Sequence, residues 1–73
     1  MKIEIYLDDE SYESPYDCIG SNFVCSLNSS VIPSVGDAIQ IEGLPYPSLI
    51  THRVFNYQHD PILVDLVITN VLN

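Results

Sequence analysis

Positive charge is what this sequence most lacks. Lys2 and Arg53 are its only basic residues, set against ten Asp and Glu, for a formal charge of −8 over 73 residues. Neutralising nucleic-acid phosphates, or holding an anionic membrane, requires clustered Lys and Arg. Direct binding to either is not expected, and a basic protein partner is favoured instead. Two cysteines are too few for a disulfide scaffold. The longest apolar run, Ile62 to Ile68, is interrupted by Asp65 and is far too short to cross a bilayer. The first nine residues alternate polar and apolar, without the apolar centre of a signal peptide. A cytosolic protein is therefore expected, with Cys18 and Cys25 as free thiols. In that compartment the sequon Asn28-Ser29-Ser30 carries no meaning.

What is present points to one small domain, residues 1–73, whose core buries only about 60–65% of the unfolded surface. The stretch Val31 to Gly43 organises it. Pro33 cannot continue a ladder, Gly36 accepts a positive φ, and Asp37 can hydrogen-bond nearby amides. Ile39 and Ile41 then alternate with Gln40 and Glu42, the period of a half-buried strand. Similar alternation predicts strands near 2–8, 22–28, 37–42, 48–57 and 62–71. The fourth changes phase: Ile50 lies on even positions, Phe55 and Tyr57 on odd ones. A β-bulge near Thr51-His52 reconciles them.

Five short strands without long helical periodicity imply an all-β fold, a small five-stranded antiparallel barrel. An acidic loop or short helical turn follows the first strand. The alternative is an open, curled sheet with a helical turn at 10–19 plugging one end. The predicted core is Ile3, Ile5, Leu7, Phe23, Cys25, Leu27, Ile39, Ile41, Ile50, Phe55, Val64, Leu66 and Ile68. Arg53, mid-strand among ten acids, should be paired, with Glu4, Asp37 or Asp65 as partner.

The order IPSVGDAIQI, a short tyrosine-bearing loop, ITHRVFNY and an alternating aliphatic strand resembles small SH3-like barrel proteins of bacterial and phage genomes. The likeness covers residues 31–70. It implies that the strand after Gly-Asp pairs with the strand carrying Ile50, Arg53 and Phe55. It carries over no catalytic residue.

Several constellations could bear chemistry. Cys18, Cys25, His52 and His59 are spaced C-x6-C and H-x6-H, too wide for structural zinc, and no metal or other cofactor is expected. Cys18, His59 and Asp60 can be drawn as a nucleophilic triad, but nothing local supports one. So short a chain also leaves little room for a substrate pocket of several hundred cubic ångströms. No enzymatic activity is expected. The segment after the first strand gathers Asp8, Asp9, Glu10, Glu13 and Asp17 around Tyr12 and Tyr16, and no aliphatic side chain. A charge run is usually a solvated face. Interleaved tyrosines add contact area of low entropic cost, which suits an Arg/Lys-rich partner. These seven residues are the candidate partner-binding site. In the last strand Leu63, Val67 and Val71 lie opposite the inner face, either buried by the bend or forming a homodimer edge.

Two functions fit. One is a non-enzymatic interaction module that blocks a nucleic-acid-binding protein, as small acidic phage-encoded inhibitors of host defence do, DNA-mimicking anti-CRISPR proteins among them. The other is a structural or assembly component, such as a minor virion or mobile-element protein, that packs through its strands.

Overall fold

The structure, a computed structural model, describes residues 1–70. Its strands are β1 (Lys2–Leu7), β2 (Phe23–Asn28), β3 (Ala38–Ile39), β4 (Ser48–Asn56) and β5 (Leu63–Asn70), and a 3-10 turn spans Pro15–Cys18. They form one sheet in the order β2-β1-β5-β4-β3. It curls into a half-barrel. β1 and β5, the first and last strands, are neighbours and run parallel, whereas every other pair is antiparallel. The sheet is therefore mixed, not antiparallel. Period-2 alternation tells which side chains share a face and is silent on strand direction. Among the described residues no helix is long and apolar enough to cross a membrane.

The registers place the core side chains in transverse rows on the concave face. One row runs Leu27–Ile3–Val64–Phe55, the next Cys25–Ile5–Leu66–Arg53. Leu7, Ile68 and Ile50 form a third. Ile3, Ile5, Ile50, Val64, Leu66 and Ile68 are essentially inaccessible, and Ile41 closes over them. Leu7, Cys25 and Ile39 are partly buried against this cluster.

Three residues expected in the core are exposed. Leu27 and Phe55 end their row and keep 39% and 38% of their surface in water. Phe23 is 54% exposed because a bulge follows it. The register runs Ile5–Cys25 then Tyr6–Phe23, so Val24 is the extra residue and Phe23 turns to the convex face. There it meets the Tyr6 ring edge-on at 5.9 Å.

In β4 the register skips Thr51, passing from Ile50–Ile68 to His52–Val67. This is the bulge that the phase change implies. The Thr51 hydroxyl donates to the Val67 carbonyl at 3.1 Å. The turn before β3 is held by Asp37, whose carboxylate accepts from the Ser34 amide at 2.8 Å, and Gly36 takes φ +95°. β3 then pairs with β4 through Ala38–Leu49 and Ile39–Ser48. It stops at Ile39 rather than running to 42. The Leu44 amide turns back to the Ile41 carbonyl at 3.1 Å, around Gly43 at φ +91°.

Candidate functional site

The acidic segment is anchored at both ends of its path. The Asp8 amide donates to the Ile68 carbonyl at 2.8 Å. The Asn22 side chain donates to the Leu7 carbonyl at 3.1 Å, and the Leu7 amide returns a bond to the Asn22 carbonyl. In between, two of its acids build turns. The Asp9 carboxylate accepts from the Ser11 amide at 2.9 Å, and that bond holds its pKa below the ordinary value. The Ser14 hydroxyl accepts from the Tyr16 amide at 3.3 Å while the Asp17 carboxylate accepts from the Ser14 amide at 3.2 Å. This reciprocal cap, with Pro15 in first position, starts the 3-10 turn.

The turn drops Cys18 onto the convex face of the sheet. Cys18 is fully buried with Tyr6 and Val67, and Tyr12 and Ile19 pack against them. Tyr16 meets the His52 ring edge-on at 4.8 Å. The segment is thus a cover for a second core, not a loop free of core contacts. β5 is apolar on both faces, so its convex side needs something over it.

Of the two readings of this strand's outer face, buried or a homodimer edge, Leu63 and Val67 follow the first. Val67 is fully buried and Leu63 keeps only 7% of its surface. Val71 lies outside the described residues.

Of the seven candidate binding residues, Asp9, Glu10, Glu13, Tyr16 and Asp17 are exposed, whereas Asp8 and Tyr12 are half-buried. Lys2 begins the strand that leads to Asp8, about 20 Å away at ~3.3 Å per residue, beyond a screening length of ~10 Å. Arg53 is paired, but not with Glu4, Asp37 or Asp65. Its guanidinium donates to the Pro33 carbonyl and the Ser34 hydroxyl, each at 3.2 Å, and lies 5.1 Å from the Phe55 ring centre. The bulge at Thr51 turns Arg53 to the concave face, towards the 33–36 turn, while Asp65 and Glu4 lie on the convex one.

The two cysteines are on opposite faces of the sheet, Cys18 in the convex core and Cys25 in a concave row. They cannot join one metal site. The Cys18 thiol donates to the Pro15 carbonyl at 2.8 Å, and burial pushes its pKa up, with Asp8 adding to the effect. A buried, protonated thiol is a poor nucleophile, which removes the chemical basis of the triad drawn with His59 and Asp60.

Two features went unread in the sequence. Asp65 is 4% exposed, with one carboxylate oxygen lacking any hydrogen-bond partner. Burial raises its pKa, Glu4 directly across the parallel ladder raises it further, and His59 acts against both. An acid inside an aliphatic run was the available signal. The second feature is an apolar groove of about 500 Å³ in the concavity. Cys25 and Leu27 of β2 form one wall, Ile39 and Ile41 the other, above Ile5 and Leu66. So short a chain does hold a pocket of that size. The groove arises because the sheet curls without closing.

Comparison with protein-family models, with curated proteins and with solved structures finds no match to this chain.

Proposed function

We propose that the protein is a non-enzymatic interaction module whose acidic segment docks on a basic protein. One observation carries this reading. Four exposed carboxylates and the exposed Tyr16 ring lie on one anchored segment, with Lys2 at the far end of β1, about 20 Å from Asp8, and Arg53 bonded to the 33–34 turn on the opposite face. Asp9 and Asp17 serve their own turns, so Glu10 and Glu13 are the carboxylates left to meet a partner, beside the exposed Tyr16 ring. A dense, fixed array of carboxylates complements a surface built to hold phosphates. The partner we infer is a nucleic-acid-binding protein, blocked in the way a DNA mimic blocks it. The likeness of residues 31–70 to SH3-like barrel proteins of phage and bacterial genomes agrees with a phage- or mobile-element-encoded inhibitor of host defence. An assembly role is the second reading, favoured by the unpaired edge of β2.

The test is capture from bacterial lysate by the parent chain and by a Glu10→Lys/Glu13→Lys double variant. Both glutamates are exposed, so the variant keeps its fold. A specific basic partner should elute as salt rises, be displaced by duplex DNA, and be missing from the variant's eluate. Equal capture by the variant refutes this interface.

A further inference from the structure

Charge is distributed unevenly along the chain. From Cys18 to Gly36 there is no charged residue, although Asp17 and Asp37 bound the stretch. β2 lies in its middle and is the outermost strand on its side of the sheet. Met1 and Ser29 exchange two backbone bonds, at 3.0 and 3.1 Å. In an antiparallel ladder such pairs recur at every second residue. Leu27 and Cys25 therefore direct their amides and carbonyls at Ile3 and Ile5, while Ser26 and Asn28 direct theirs outward. No described strand lies beyond them. Natural edges are usually guarded by Lys, Pro or bulges. Phe23–Asn28 has neither Lys nor Pro, and its bulge at Val24 disturbs only its start. Exposed Phe23, Leu27, Val31 and Val35 all fall within this uncharged stretch.

We propose that two copies of this chain pair antiparallel through their β2 edges, about a two-fold axis at Ser26. Ser26 then faces Ser26 of the second copy, and the outward groups of Asn28 meet those beside Val24. Leu27 falls opposite Cys25 of the second copy on the concave side, extending the apolar wall of the groove across the dimer. Chains of charge −8 repel one another, so self-association needs a neutral approach, and β2 supplies it. Within the paired strands the acids are the two Glu4 side chains, each on β1 opposite its own Ser26. Three strand spacings separate them, about 14 Å, beyond a screening length of ~8–10 Å.

Sedimentation equilibrium over a micromolar-to-millimolar series tests the proposal. The parent should dimerise, and more tightly as salt rises, because salt screens the repulsion between like chains. This is opposite in sign to the salt effect on a basic partner, so either reading can fail without the other. Ser26 is exposed, and both Ser26→Gln and Ser26→Glu should keep the parent circular dichroism spectrum. Ser26→Gln should still dimerise. Ser26→Glu sets like charges face to face on the axis and should weaken the dimer by about tenfold or more. A parent that stays monomeric at high concentration and high salt overturns the proposal. So does a Ser26→Glu chain that dimerises as tightly as Ser26→Gln.

Discussion

Replacing Asp65 by Asn should make the protein more stable at neutral pH. Asp65 sits in the central strand, 4% exposed, beside Glu4 and with an oxygen that accepts no hydrogen bond. A buried acceptor left unsatisfied costs about 1–3 kcal/mol, and more when it is charged. The amide keeps the shape and removes the charge, so a gain of about 1 kcal/mol or more is expected. A chain of this size has a total stability of about 4–11 kcal/mol. The melting temperature should rise about 4–8 °C for each kcal/mol gained. The pH dependence identifies the cause. The folded-state pKa of Asp65 lies above its ordinary value of 3.8, so above that value the folded chain holds a proton that the unfolded chain has released. The contribution of Asp65 is fully present below pH 3.8 and is lost as pH rises through the raised folded value. The difference between variant and parent should be small in acid and grow towards neutrality. Thermal melts of both chains from acid to neutral pH measure it. A variant less stable than the parent at pH 7, with a difference constant in pH, would refute the reasoning.

Other outcomes follow from the packing. Leu66→Ala empties a fully buried site and should cost about 2–5 kcal/mol, whereas Phe55→Ala, at the open end of its row, should cost less; urea melts that reverse this order would displace Phe55 into the core. Tyr12→Ala should lower the melting temperature, because Tyr12 packs on the Cys18–Val67 cluster; an unchanged value would make the acidic segment a free loop after all. In the native protein a thiol reagent should label half-buried Cys25 before Cys18, and mass spectrometry of the partly labelled chain reads the order. Charge reversal at Glu10 and Glu13 should leave the melting temperature unchanged or higher, since it relieves like-charge repulsion; a marked drop would mean that these side chains hold the fold.

Much of this fold was legible along the chain. Alternation alone puts Ile3, Ile5, Ile41, Ile50, Val64, Leu66 and Ile68 inside, because a strand shows successive side chains to opposite faces. The phase change within β4 located the bulge at Thr51, and the Asp37 turn followed from Pro33 and Gly36. The exposed part of the candidate site was legible too, since burying the unpaired carboxylates of Glu10 and Glu13 would be costly. Tertiary structure decided the rest. It made β1 and β5 parallel neighbours, which put Glu4 against Asp65 across sixty residues of chain. It set Leu27 and Phe55 at the ends of a row, turned Phe23 outward through the Val24 bulge, and gave Arg53 a carbonyl and a ring instead of a carboxylate. It drew Tyr12 and Cys18 down to cover Val67. Alternation is a property of neighbours two apart and reports only which face a side chain takes. What that face meets is set by pairing direction and sheet curl, which depend on contacts between segments distant in sequence.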